Sequence, residues 1–128
     1  MLDRRACELD LLRQRYGPLE HGTGLDWILF RSIPMGAGWN RPTTELLVLI
    51  PPAYPLVAPD NFFVREGLRT AEGHLPGGYF EGQVSVLGPG WGQFSLHALE
   101  WRPGAELVDG DNLLTFMLAI ERRLAEPS

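Results

Sequence analysis

The stretch Thr44-Glu45-Leu46-Leu47-Val48-Leu49-Ile50-Pro51-Pro52-Ala53-Tyr54-Pro55-Leu56-Val57-Ala58-Pro59 decides the fold class. Its first half is a short apolar, β-favouring run, and its second half is too proline-dense for a helix and too apolar for a flexible linker. A strand that ends in a packed, structured connection is the reading. On its N-terminal side, Leu25 to Ile33 (with Trp27, Ile28, Phe30 and Ile33) is a second such run, joined through a Gly-rich turn at Gly36 to Gly38. The two runs are expected to be neighbouring antiparallel strands. On its C-terminal side, Asn61-Phe62-Phe63-Val64-Arg65 makes a short third strand.

Helices are expected at both ends. Leu2, Ala6, Leu9, Leu12 and Tyr16 fall on one helical face, with Asp3, Glu8, Asp10 and Gln14 opposite, so residues 2 to 15 read as an amphipathic helix stopped by Gly17-Pro18. A final helix follows Trp101-Arg102-Pro103-Gly104, with Asp111 as its expected N-cap and Leu113, Phe116, Met117, Ile120 and Leu124 on its buried face. From Glu66 to Gly92 the glycines and prolines break the periodicity, apart from a short strand expected at Gln83 to Leu87. A loop this long in a compact domain commonly serves a site. There is no internal repeat or low-complexity segment.

At 128 residues with 45% hydrophobic and 21% charged content, the chain has the size and balance of one globular domain spanning 1–128. No apolar run approaches the roughly 18 residues of a membrane span, and the start runs directly into a charged helical pattern, so neither a membrane anchor nor a signal peptide is expected and the protein is expected in the cytoplasm. Net charge is −5 and the 11 basic residues are scattered, which argues against nucleic acid as a partner. All of them are arginine; a chain without lysine offers no amine side chain to intercept a reactive acyl group, although arginine-favouring composition explains the same fact. Cys7 has no partner for an internal disulfide.

Several chemistries drop out on motif grounds. The nucleophile elbow of α/β-hydrolases is missing, His21, His74 and His97 are not at metal-ligand spacing, and Gly88-Pro89-Gly90-Trp91-Gly92 does not open a helix as a phosphate loop would; no metal or cofactor is expected. What remains is Phe94-Ser95-Leu96-His97. If this segment is extended, the hydroxyl and the imidazole share a face, and an imidazole that takes the serine proton activates it for acyl transfer. Ser95 and His97 are therefore the candidate catalytic pair, with Glu100 the nearest carboxylate in sequence. Asn61 and Asn112 are candidate oxyanion donors if the fold brings them within reach. Trp91 and Trp101 bracket the pair, as packing anchors or as partner contacts. His74 and His21 read as loop residues, and Pro55 as a candidate cis proline.

The order of elements, Tyr54-Pro55, Phe94-Ser95-Leu96-His97 and Trp101-Arg102-Pro103-Gly104 together resemble the ubiquitin-conjugating enzyme (UBC) superfamily, in particular a small prokaryotic family with Ser in place of the catalytic Cys. The resemblance covers nearly the whole chain. It implies an α+β, UBC-like fold: an N-terminal helix, an antiparallel β-meander, a long active-site loop and a C-terminal helix packed on the sheet. It implies partners as well, namely an activating-enzyme-like protein, a ubiquitin-like protein and a JAB-type peptidase in the same pathway. By the same resemblance the first helix, with Arg4, Arg5, Arg13 and Arg15 exposed, is the face that meets activating enzymes and ligases; an ordinary solvated face explains the same charges equally well.

The chain departs from the family pattern in three ways. Ser95 stands where conjugating enzymes have cysteine, so a thioester at the usual place is impossible. The family's His-Pro-Asn motif has only His74-Leu75-Pro76 as an approach, without an Asn, and the helices that extend larger members have no counterpart. Two readings follow. In one, Ser95 accepts the C-terminal acyl group of a ubiquitin-like protein as an oxyester, with His97 as base and backbone N–H groups of the Gly-rich loop as oxyanion donors. In the other, the chain is a catalytically silent UBC-like module that binds a ubiquitin-like protein or an activating enzyme.

Overall fold

A computed structural model describes residues 4–98, 100–105 and 110–128. The element order is α1 (Arg4–Tyr16), β1 (Leu19–His21), β2 (Trp27–Pro34), β3 (Thr43–Leu49), β4 (Asp60–Arg65), β5 (Tyr79–Ser85), β6 (Gly88–His97) and α2 (Leu113–Leu124). The strands form one antiparallel sheet in the order β1-β2-β3-β4-β6-β5. This is the expected α+β architecture, with a helix at each end of the chain; the meander holds from β1 to β4, after which β6 lies between β4 and the edge strand β5.

Alternation along the central strands sorts the core. Ile28, Phe30, Leu46, Val48, Phe62, Val64 and Phe94 belong to one buried cluster with Leu9 and Leu12 of α1 and Phe116, Met117 and Ile120 of α2. Each such side chain contributes about 1.5–3 kcal/mol through burial. Residues between them in sequence, Leu29, Leu47 and Trp91, make a second cluster. Beside it runs a cross-strand ladder of charge. Arg31 pairs with Glu20 and, at 2.6 Å, with Glu45; Glu45 pairs at 2.8 Å with Arg65, whose guanidinium lies 4.1 Å from the centre of the Trp91 ring. The two arginines hold the Glu45 carboxyl below its ordinary range, Arg65 more than Arg31.

Four expectations are corrected. The Glu66–Gly92 region is not one long loop, because it holds β5 and the start of β6, paired from Tyr79↔Phe94 to Ser85↔Gly88. Its glycines hid the hairpin: Gly82 (φ +73) and Gly88 (φ +103) take left-handed conformations where the pairing shifts register and turns, which breaks the alternation a strand reading relies on. The N-cap of α2 is Asn112, not Asp111. Its side chain accepts from Thr115 N while the Thr115 hydroxyl accepts from Asn112 N, and Asp111 instead accepts from Arg102 N at 2.8 Å. Glu8, expected on the solvent face of α1, is fully buried. The helix itself runs one residue past the expected end, to Tyr16, while Leu2 and Asp3 lie outside the described residues.

Glu8 is buried because it satisfies donors from three other places. Its carboxylate accepts from the Tyr54 hydroxyl and, at 2.7 Å, from Leu113 N in the first turn of α2, and Arg4 Nε stands 3.3 Å away as an ion pair. Burial, with the carboxylate beside it, pushes the Tyr54 phenol up, so it remains a donor. Arg4 continues to Gly104 O and Asp111 O, tying α1 to both sides of the segment that leads into α2.

A second carboxylate cluster, at Glu81, sets an acid limit. Arg69 at 2.7 Å, the Gly67 N–H and the Tyr79 hydroxyl at 3.0 Å hold its carboxyl down at about 2, against an ordinary 4.5. A depressed carboxylate contributes stability that is fully present above its unfolded value and is lost as pH falls through the folded one. Glu81→Gln is therefore expected to flatten the loss of stability between about pH 4.5 and 2, read as urea midpoint against pH. An unchanged acid slope in the variant would refute this account.

Candidate active site

The candidate site lies where β4 begins and β6 ends. Phe62 pairs with Phe94 and Asp60 with His97, so β4 advances two residues while β6 advances three. The extra residue makes a bulge at Ser95-Leu96, opposite Asn61. Asn61 adopts φ +63, uncommon for any residue but glycine and best tolerated by Asn and Asp, and its Oδ1 accepts from Leu96 N at 3.0 Å. Across the bulge Leu96 packs against the core cluster that holds Phe94, while Ser95 and His97 are both exposed.

His97 Nδ1 lies 2.5 Å from Asp60 Oδ1. An ionised carboxylate only accepts, so the proton sits on Nδ1 and Nε2 carries the free lone pair of the neutral ring. Asp60 is thus the carboxylate that orients His97; Glu100, near in sequence, is exposed and makes no bond to it among the described residues. The signal for Asp60 lies in the pairing of the third strand with an extended 91–97, which the reading of a long loop concealed. Both side chains are largely exposed, at 66% and 60%. His97 opens on a cleft of about 360 Å³ lined also by Trp101, Asp111, Thr115, Phe116 and Arg122.

Ser95 is exposed, and its backbone N–H donates to Gly78 O at 2.8 Å. Among the described residues its hydroxyl has no hydrogen-bond partner, the imidazole included. The Gly88–Gly92 run is strand backbone paired with β4 and β5, not a loop cradling a ligand. Asn112 is spent on its helix cap.

The four residues considered for partner contacts are placed differently from one another. Arg4 is committed to Glu8, Gly104 O and Asp111 O, and Arg5 to the carbonyls of Gly24, Leu25, Pro51 and Pro52, so neither extends freely into solvent as the sequence suggested; Arg13 and Arg15 are the more exposed. Trp91 is fully buried under Arg65. Trp101 alone lines the His97 cleft, with Nε1 donating to Pro55 O at 2.8 Å and its ring 6.2 Å from that of Tyr54. The Tyr54-Pro55 bond is cis. His74 lines a separate cleft beside Pro127 and Ser128, and His21 Nδ1 lies 2.8 Å from Gly22 O. Among the described residues no group of three or more His, Cys, Asp or Glu could hold a metal ion.

The model of one family, prokaryotic E2 family E, matches residues 12–127, from the first helix through the second. The chain belongs to prokaryotic E2 family E. No curated protein and no solved structure matches it. Membership accounts for the helix–meander–helix order. It also makes this a conjugating-enzyme-like protein, whose dealings are in general with an activating enzyme and a modifier. No helix among the described residues is long and apolar enough to cross a membrane.

Proposed function

We propose that this family E protein is an acyltransferase that receives the C-terminal acyl group of a ubiquitin-like protein from an activating-enzyme-like protein, holds it as an oxyester on Ser95, and passes it to a target. The observation that carries the reading is the Asp60–His97 hydrogen bond, which leaves Nε2 as a base one residue beyond the bulge that bears Ser95. In the loading step Ser95 Oγ attacks the carbonyl carbon, its proton passes to His97 Nε2, and the tetrahedral intermediate collapses by expelling the activating enzyme's thiolate, which takes that proton. The absence of lysine fits, since no side-chain amine of the chain competes for the acyl group. Trp101, which lines the cleft, would meet the modifier there, whereas Arg4, Arg5 and Trp91 would serve partners only by holding the surfaces around them. A JAB-type peptidase would act in the same pathway, and the cytoplasm is the compartment where such a pathway would run.

The second reading, a silent binding module, is favoured by one observation: the Ser95 hydroxyl is exposed and unbonded to the imidazole. The two are separated by incubating the chain with an activating-enzyme-like protein, a ubiquitin-like protein and ATP, then mapping adducts by intact mass and peptide analysis. The expected result is an adduct on Ser95 that survives thiol reductant, is cleaved by hydroxylamine and is absent from Ser95→Ala. Binding among the three proteins with no adduct on the wild type would establish the module instead.

A further inference from the structure

Arg123, in the last turn of α2, is a cation taken partly out of water with no salt bridge among the described residues. Its guanidinium donates instead to three backbone carbonyls, Gly77 O at 2.8 Å, Ser128 O at 3.3 Å and Glu126 O. Burial lowers its pKa, a cost that the helix end does not require, since Arg122 in the same turn already places a cation there while remaining exposed. The contacts lead to Ser95 from two sides. The guanidinium lies 4.9 Å from the centre of the ring of Phe94, the residue before Ser95. Gly77 is followed by Gly78, whose carbonyl accepts from Ser95 N at 2.8 Å and whose Cβ, if it had one, would stand 4.0 Å from Ser95 Cβ. Two glycines have no side chain with which to anchor themselves, and Gly78 sits at φ +68, so the segment beside Ser95 has to be held from outside.

We infer that Arg123 is a positioning residue for acyl transfer at Ser95: it fixes Gly77-Gly78 against the end of β6 and, through the Gly78 carbonyl, the backbone from which the Ser95 hydroxyl projects. The role rests on the function proposed above. Among the described residues Arg123 bonds to neither the hydroxyl nor the imidazole, so it acts through the peptide it holds. Ser95 needs that support because it lies at the bulge, where pairing with β4 is irregular, and its hydroxyl has no partner to orient it. Acyl transfer is sensitive to such support, since a displacement of about 1 Å at the reacting atom costs about 10²-fold in rate. One helix thereby lines the His97 cleft, through Thr115, Phe116 and Arg122, and holds the serine through Arg123.

The test uses the full chain and p-nitrophenyl acetate. Ser95 Oγ bonds to the acetyl carbon, its proton passes to His97 Nε2, and p-nitrophenolate leaves with the electron pair of the broken ester bond; peptide mass follows Ser95 and absorbance the phenolate. Wild type, Ser95→Ala, Arg123→Met, Arg123→Lys and Glu121→Ala are compared at a temperature where unfolding curves show each to be folded. Met keeps an apolar stem on Phe94 and removes the donors, and Lys returns one charged donor for Gly77 O. Glu121→Ala removes the bonds of α2 to Arg15 and Tyr16 two residues away, and so controls for a loosened helix. The expected result is acetylation of wild-type Ser95, slowed about 10- to 10²-fold in Arg123→Met, less in Arg123→Lys and not in Glu121→Ala. The loss is expected at every pH without a shift of the midpoint, because the Asp60–His97 bond is untouched, and with faster hydrogen exchange at the Ser95 amide while the amides of β2 and β3 stay protected. An undiminished rate in Arg123→Met, or an equal loss in Glu121→Ala, would overturn the role of Arg123 and leave the proposed function standing. No acetylation of wild-type Ser95 above the Ser95→Ala background would overturn both.

Discussion

Glu8→Ala is expected to destabilise the protein by about 3–5 kcal/mol, a large part of the roughly 5–15 kcal/mol available to a fold of this size. The reason is what the substitution leaves behind. The Tyr54 hydroxyl, the Leu113 N–H at the start of α2 and the Arg4 guanidinium all lose an acceptor that is fully buried in the native protein, and each unpaired group retains the cost of its desolvation. Glu8→Gln is the discriminating control. Its amide oxygen can still accept from both Tyr54 and Leu113, which meet the same carboxylate oxygen, but its N–H₂ would face the Arg4 guanidinium, which also donates, so it is expected to fall between wild type and Ala. Urea unfolding reads both. A Glu8→Ala loss below about 1 kcal/mol would mean that water replaces the carboxylate and that the cluster is not the joint between α1, the Tyr54-Pro55 segment and α2. Because Tyr54 also packs on Trp101, that joint supports one wall of the His97 cleft.

The second large effect is on chemistry. His97→Ala is expected to slow acylation of Ser95 by about 10²–10⁴-fold, the usual worth of a positioned base, with little change in stability because the side chain is mostly exposed. Asp60→Asn separates orientation from basicity. An amide can hold the ring only by donating to, or accepting from, Nδ1 without the carboxylate's charge, which loosens the preference for the useful tautomer. Since Asp60 is 60% exposed, solvent screens its charge, and the expected loss is smaller, about tenfold. Both variants can be followed with p-nitrophenyl acetate, an activated ester that needs no partner protein, and with the modifier. Equal acylation of Ser95 in wild type and His97→Ala would remove the imidazole from the mechanism, and the Asp60–His97 bond would then be an ordinary clasp between the ends of β4 and β6.

How much of this was legible beforehand follows from where each signal resides. The buried stripe of α2, at Leu113, Phe116, Met117, Ile120 and Leu124, was readable because a helix repeats every 3.6 residues and needs only its own sequence to show it. β2 and β3 were readable for the same reason, as apolar runs either side of a glycine turn. The β5–β6 hairpin was readable only in part: the strand expected at Gln83 to Leu87 coincides with β5 at Gln83 to Ser85, while Val86 and Leu87 are turn and the first half of β5 was not read. Phe80, Val84 and Val86 are exposed, and Gly82 sits mid-strand, so the apolar alternation is weak where the strand lies at the sheet's edge. The cap of α2 was missed by one residue, since Asp111 and Asn112 are both good caps and only the bond from Thr115 N decides between them.

The candidate site divides along the same line. Ser95, His97 and Trp101, and the family they point to, could be named from sequence, because residue type and short spacing carry the acyl-transfer chemistry. Which groups complete the site could not, because their partners are remote along the chain: 37 residues separate Asp60 from His97, 35 separate Asn61 from Leu96, and 105 separate Glu8 from Leu113. Local periodicity assigned Glu8 to the solvent side of α1 for want of any sign that α2 would present an unpaired N–H to it. It likewise gave no sign of the bulge at Ser95-Leu96, which exists only through the pairing of β6 with β4. Sequence alone determined the elements with local repeats and the chemistry of single side chains. Tertiary structure decided everything that depends on a donor meeting an acceptor across the sheet or between helices, since desolvation makes such meetings obligatory but only the folded chain says where they occur.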